Sequence, residues 1–378
     1  MVYGTFAKRA LLITAILVVA VACLDPLTAC AQTFGAGSFV GIIQSGSNND
    51  EGFGFAILTL AKNGVFSMRF NVGVNYVGRH SYVKTGKFDS SGRWQISGPA
   101  PTDTRYEIPV NMTLQLDSID NPTRVSGSLN DYTHSSNISM ERVFVASRGN
   151  PASQAGVYTF LFSATRQPDP TGTGWGRAIV TPTGVIGAAG RTPDGRAFAQ
   201  TAWVTVYNHW PVFTKMAGIT NGIFSGWLSF NNTSSSDFSG QLTWIGPEVP
   251  GPNHAFVPQF VTSINLVGSR YTLPYRTTIL QLNSNTNNVH LTFTDGGLEN
   301  EIDKNVTMLP NDRIIFNPVQ RGQTLLFYPA WGLFAGTFQH TDGRFYIYRG
   351  AILQKQNYGG GQFVTIDHDS GAITIRPN

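Results

Sequence analysis

Much of the chain runs in short stretches that alternate apolar and polar residues, broken by turn signals about every eight to twelve residues. GFAILTL (Gly54 to Leu60), then Asn63-Gly64, then VFSMRF (Val65 to Phe70) reads as strand, turn, strand. A period of two sorts side chains onto opposite faces of a strand, and Asn-Gly supplies the positive φ values of a tight hairpin turn. Thr341-Asp342-Gly343, between GLFAGTFQ and RFYIYRGAIL, carries the same signal, as does Pro193-Asp194-Gly195. Beyond the N-terminal segment no stretch has helical periodicity. The pattern predicts an all-β, antiparallel protein.

The pattern also repeats. Gly52-Phe53-Gly54-Phe55-Ala56-Ile57, followed by Asn63-Gly64-Val65, matches Gly174-Trp175-Gly176-Arg177-Ala178-Ile179, followed by Thr183-Gly184-Val185. Upstream, GSFVGII from Gly37 pairs with GVYTFLF from Gly156, so the two units are offset by roughly 120 residues. GIFSGWL from Gly222 and GLFAGTF from Gly332 share a shorter pattern. A unit of that size holds about eight short strands, enough for a small barrel or a sandwich. The expected division is module one over 34–148, module two over 152–250 and module three over 258–378. It is set by Arg148-Gly149-Asn150-Pro151 and by the four prolines from Pro247 to Pro258. The alternative is a single enlarged second barrel over 152–378.

The N-terminus has the parts of a secretory signal: Lys8 and Arg9, an apolar run from Ala10 to Cys23, then Ala29-Cys30-Ala31 before Gln32. Cleavage after Ala31 makes 1–31 a signal peptide. Leu27-Thr28-Ala29-Cys30 also reads as a lipobox, with Cys30 as the lipidated residue. Cys23 and Cys30 are the two cysteines, so a chain starting at Gln32 has neither a disulfide nor a thiolate to use. Localisation is then extracellular, periplasmic or at the cell surface, with membrane contact only through a lipid anchor.

Charged residues are 13% of the chain and aromatics 12%, with 41 glycines, a balance that suits strands and turns over helical bundles. Net charge is +4, and lysines and arginines are scattered, which argues against nucleic acid as a partner.

The blocks GVYTF at Gly156, Gly174-x-Gly176, Pro193-Asp194-Gly195, Trp210-Pro211-Val212-Phe213, GIFSGWLSF, FSGQLTW, RGAILQKQNYGGGQFV and SGAITIRPN occur in order. In these the chain resembles an uncharacterised family of secreted bacterial Gly-rich all-β proteins. That region is often found C-terminal in large exported chains with immunoglobulin-like repeats. The resemblance covers most of the chain from about residue 34. It implies export and an all-β fold, and brings no reaction, cofactor or catalytic residue with it.

Candidate chemistry is thin. The seven histidines, His80, His134, His209, His254, His290, His340 and His368, show no metal-ligand spacing. Asp367-His368-Asp369-Ser370-Gly371 reads as a hairpin turn rather than a calcium loop, and Gly359-Gly360-Gly361 as a flexible turn rather than a phosphate loop. Glu299, Glu301 and Asp303 read as a solvated loop face. No Gly-x-Ser-x-Gly elbow is present, and no catalytic residue or cofactor is expected. Trp203, Trp210, Trp227, Trp244 and Trp331, with Tyr207, Tyr346 and Tyr348, either fill the barrels or form a face on which sugar rings stack. The expected function is an exported structural or binding component. Its partner would be a cell-envelope polysaccharide or another exported protein. The alternative is a carbohydrate-directed protein, either a glycan-binding module or a glycoside hydrolase.

Overall fold

The computed structural model describes residues 32–45, 53–72, 81–98, 111–130, 135–164, 171–215, 222–246, 249–250, 256–257, 260–319, 321–367 and 369–378. The signal segment with Cys30, together with His80, His134, His254 and His368, lies outside them. Strands fill three antiparallel eight-stranded sheets in tandem. The first is built from β1 (Gly37–Ser45), β2 (Gly54–Leu60), β3 (Val65–Val72), β4 (Ser81–Lys87), β5 (Arg93–Ile96), β6 (Asn111–Leu116), β7 (Arg124–Asn130) and β8 (Ser135–Arg142). The second uses β9 (Gly156–Ala164), β10 (Gly174–Val180), β11 (Val185–Arg191), β12 (Ala197–Trp203), β13 (His209–Lys215), β14 (Ile223–Phe230), β15 (Phe238–Gly246) and β18 (Phe260–Arg270). β16 (Val249–Pro250) and β17 (Phe256–Val257) pair only with each other. The third runs through β19 (Val289–Asp295), β20 (Ile302–Met308), β21 (Ile314–Phe316), β22 (Thr324–Tyr328), β23 (Leu333–Gln339), β24 (Phe345–Leu353), β25 (Tyr358–Val364) and β26 (Ser370–Pro377).

Each sheet is an up-and-down meander whose first and last strands pair: Phe39 opposite Arg142, Tyr158 opposite Arg270, Val289 opposite Pro377. Each is left open at one seam, between β4 and β5, β12 and β13, or β21 and β22. The alternation in the sequence becomes the wall of the barrel. In β3, Phe66, Met68, Phe70 and Val72 point inward and are buried, while Val65, Ser67 and Arg69 point out. The second interior is an aromatic cluster of Phe160, Phe162, Trp210, Phe224, Phe238 and Trp244. The third is built on Phe293, Phe334, Phe338, Tyr348 and Phe363. Eight strands leave an interior that side chains can fill, and here they fill it with apolar groups, the inverse of a barrel that turns its apolar face to lipid.

The repeat is visible in the turns. Gly64 and Gly184 both have φ of +82°, and Gly343 +83°. In each, a β-turn hydrogen bond to the glycine N–H sits inside the closing bond, as with Gly184 to Thr181 and Thr181 to Val185. Only the glycine of the Asn63-Gly64 pair takes positive φ, the arrangement of a three-residue loop with a bulge rather than a two-residue hairpin.

Two further details depart from the sequence reading. β18, the closing strand of the second barrel, lies beyond the proline-rich stretch at which that reading ends module two. A barrel closes where its first strand finds a partner, and that pairing is not local. Gly359-Gly360-Gly361 is not a turn but buried strand β25, paired with β24 and β26.

Candidate functional site

On the outer wall of the second barrel, three cross-strand rows lie side by side: Trp175–Arg191–Ala197, Arg177–Ala189–Ala199 and Ile179–Gly187–Thr201. Alternation forces this set outward, because Ala178, Ile186, Ala188 and Ala202 face the core. Glycine and alanine in the middle strands make a low floor, and Leu333 of the third barrel closes one side. The result is an open cleft of about 690 Å³. Its lining includes two arginines and no aspartate or glutamate. One Arg191 Nη donates to the Gly195 carbonyl at 2.6 Å. Arg177 Nε and Trp175 Nε1 are buried donors without a protein acceptor. A buried donor left unmatched costs about 1–3 kcal/mol, the same cost carried by the indole N–H groups of Trp210 and Trp244.

A second polar group spans the first and second barrels. Glu141, on β8 and buried, accepts from Thr205 Oγ1 at 2.7 Å and lies 3.0 Å from His209 Nδ1. Arg124 is 3.7 Å from the same carboxylate and 4.1 Å above the Tyr207 ring. The Tyr207 hydroxyl meets Thr123 Oγ1 at 2.8 Å. The Thr205 hydroxyl and the His209 imidazole are both directed at the Glu141 carboxylate, so the group works as a strut between barrels.

The third is a hollow of about 320 Å³ at one end of the third barrel, lined by Glu299, Asp342, Asp367, Asp369 and His340. The fold thus brings together acidic residues that are remote in sequence. His340 is buried, with Nε2 3.1 Å from the Gly296 carbonyl and Nδ1 3.3 Å from the Asp342 amide nitrogen. Asp342 accepts from the Tyr346 hydroxyl at 2.7 Å, and this bond leads the causes that hold its carboxyl below the usual range. Asp303 is not part of it: it sits on β20, 2.8 Å from His290 Nε2. Among the described residues, no group of three or more His, Cys, Asp or Glu is placed to hold a metal ion, and no helix is long and apolar enough to cross a membrane.

The tryptophans singled out from the sequence do not form one face. Trp210 and Trp244 are interior residues of the second barrel, 2% and 0% exposed, so neither can present a ring to a ligand. Strand alternation turned them inward, and the apolar cluster holds them there at the expense of two unpaired indole N–H groups. Trp203 packs against the apolar cluster between the first two barrels. Trp227 meets His209 edge-on at 6.0 Å. Trp331 is 55% exposed and stacks on Tyr328 at 6.2 Å. Tyr346 and Tyr348 are buried. Trp175, Arg177 and Arg191 are site residues that sequence reasoning does not single out. The signal for them was present, since residues 175, 177 and 179 share a face opposite small residues. Which strand would face them was not.

No family model and no curated protein matches the chain. Among solved structures, intact Ap-TbpB with its N and C lobes is 8% identical over 92% of this chain and 77% of that one, with a TM-score of 0.22. Transferrin binding protein B from Neisseria meningitidis is 7% identical over the same shares, also at 0.22. Kievitone hydratase from Nectria haematococca is 12% identical over 66% of this chain and 94% of that one, at 0.18. At such TM-scores these likenesses carry no argument about function.

Proposed function

We propose that this chain is an exported binding protein of the bacterial surface or extracellular space, that it belongs to the Gly-rich all-β family it resembles, and that its ligand is an acidic polysaccharide of the cell envelope. The observation that carries the reading is the cleft walled by Trp175, Arg177, Arg191 and Leu333, with its two arginines and no carboxylate in the lining. An extended polymer fits an open floor of glycine and alanine. Its carboxylates would meet guanidinium groups, which bind such groups in a planar, two-pronged fashion. Export rests on Lys8, Arg9, the apolar run and Ala29-Cys30-Ala31.

The test is titration calorimetry against acidic and neutral polysaccharides, with wild type and the Arg177→Ala/Arg191→Ala double variant. Saturable binding of an acidic polymer, weakened at least about tenfold in the double variant, supports the reading, since each lost charge-assisted bond contributes about 1.5–3 kcal/mol. Equal binding by both proteins, or none by wild type, would remove the cleft from consideration.

A further inference from the structure

The three barrel seams are guarded differently. In the first, the facing strands carry Lys84, Lys87 and Arg93. Lys84 lies on the inward side opposite Met68, a placement that discourages pairing with another chain. In the second, side chains lace the gap: Gln200 Nε2 donates to the Pro211 carbonyl and Thr214 Oγ1 to the Ala199 carbonyl, each at 2.9 Å. Pro211 also has no N–H to offer. In the third, β21 is Ile-Ile-Phe and β22 is Thr-Leu-Leu-Phe-Tyr. No charge or proline stands in either strand, and among the described residues no hydrogen bond joins them.

The wall beside that seam is apolar on its outer side. Ile315, Leu326, Tyr328, Trp331, Phe345 and Ile347 are each at least 41% exposed. Thr324–Thr337–Ile347 and Leu326–Ala335–Arg349 form adjacent cross-strand rows on β22, β23 and β24. The Phe345 ring lies over Gly322, next to Arg321. Arg313, Arg321 and Arg349 are exposed, and among the described residues no carboxylate is ion-paired with them. An apolar patch with an open strand edge and a cationic rim has a definite complement.

We infer that this seam docks an extended segment of a partner polypeptide, which adds to β22 as a strand. It would place alternate apolar residues against Leu326 and Tyr328 of β22 and Ile315 of β21, and acidic residues toward Arg321 and Arg313. Main-chain hydrogen bonds to an open edge supply affinity, and the side chains on either side supply selectivity. The site adjoins the Arg177 cleft through the Tyr328–Leu333 pair but uses neither of its arginines.

The probe is a synthetic peptide with valine at alternate positions and glutamate at both ends, added to the purified protein. The expected result is saturable binding with slowed hydrogen exchange at β22. Binding should weaken at least tenfold when alternate peptide amides are N-methylated, and again in Leu326→Lys, whose site is 58% exposed and so leaves folding intact. Arg313→Glu should weaken this peptide and strengthen a lysine-ended one, while Arg177→Ala/Arg191→Ala changes nothing. Absence of binding, or binding indifferent to both N-methylation and Leu326→Lys, overturns the proposal. So does a concentration-dependent dimer abolished by Leu326→Lys without peptide binding, which would assign the edge to a second copy of the chain.

Discussion

The two junctions between barrels are made by different means. Between the first and second, an antiparallel bridge of Val143 with Thr205 brings backbone bonds from Val206 N–H to the Arg142 carbonyl and from Phe144 N–H to the Val204 carbonyl, each 2.9 Å, and side chains join the rest. Val40, Phe53 and Phe55 meet Phe213, Ile223 and Ile245, and the Glu141 group lies alongside. Lys215 Nζ reaches the Val72 carbonyl at 3.0 Å, and burial holds its ammonium below the usual lysine pKa. Between the second and third, a glycine strand lets side chains of the second barrel rest on bare backbone of the third. The Thr173 N–H donates to the Gly361 carbonyl at 3.3 Å, Thr159 Oγ1 to Ile352 at 2.6 Å and Thr171 Oγ1 to Ser370 at 2.5 Å. A Cβ on Gly360 would stand 2.7 Å from Leu161 Cδ1 and 3.3 Å from Thr173 Cγ2. The difference teaches which substitutions each junction tolerates. A side-chain strut can lose one member and keep the rest, whereas the face on which Leu161 and Thr173 rest has no smaller residue to fall back on than glycine.

That contrast can be tested from the strongest effect downward. Gly360→Val should lower stability by about 3 kcal/mol, the upper range for forcing extra atoms into a packed region. Urea denaturation followed by tryptophan fluorescence reads it, and an unchanged midpoint would show that the glycine strand is not what lets the barrels approach. Gly336→Val, where an added Cβ runs into the Thr324 carbonyl and the Tyr348 ring, is the companion inside the third barrel. It should be similarly damaging without acting at the junction.

Glu141→Ala should cost about 2 kcal/mol, because it strands the Thr205 hydroxyl and leaves His209 and Arg124 without their carboxylate. A loss larger than that of Gly360→Val would reverse the comparison. Thr159→Val removes a single buried hydrogen bond across the second junction and should cost about 1 kcal/mol. Trp331→Ala marks the floor: exposed, and away from both junctions' apolar clusters, it should shift stability by no more than about 0.5 kcal/mol.

Much of the architecture could be read before any coordinates. GFAILTL became β2, VFSMRF the greater part of β3, and GLFAGTFQ the span that contains β23. Period two is a local property: it depends only on which face each residue must show, so a single chain carries it legibly. The turns were equally local, since glycine alone enters positive φ freely, though the number of residues in the turn was not visible.

What failed was whatever depended on a distant partner. Three successive glycines look like a loop because they offer nothing to pack, yet β24 and β26 pair with them on both sides and the second barrel rests on the face they leave bare. Trp210 and Trp244 looked like candidate platforms, but the choice between inside and outside was settled by Phe160, Phe224, Phe238 and Phe260 around them. The arginine-lined cleft exists because Leu333 arrives from another barrel beside β10 and β11. By itself the sequence determined the strands, their faces and the repeat, because hydrophobic alternation and turn chemistry act within a few residues. Only the tertiary structure decided where barrels close, which rings are buried and where polar groups meet, because those outcomes rest on contacts between residues far apart in the chain.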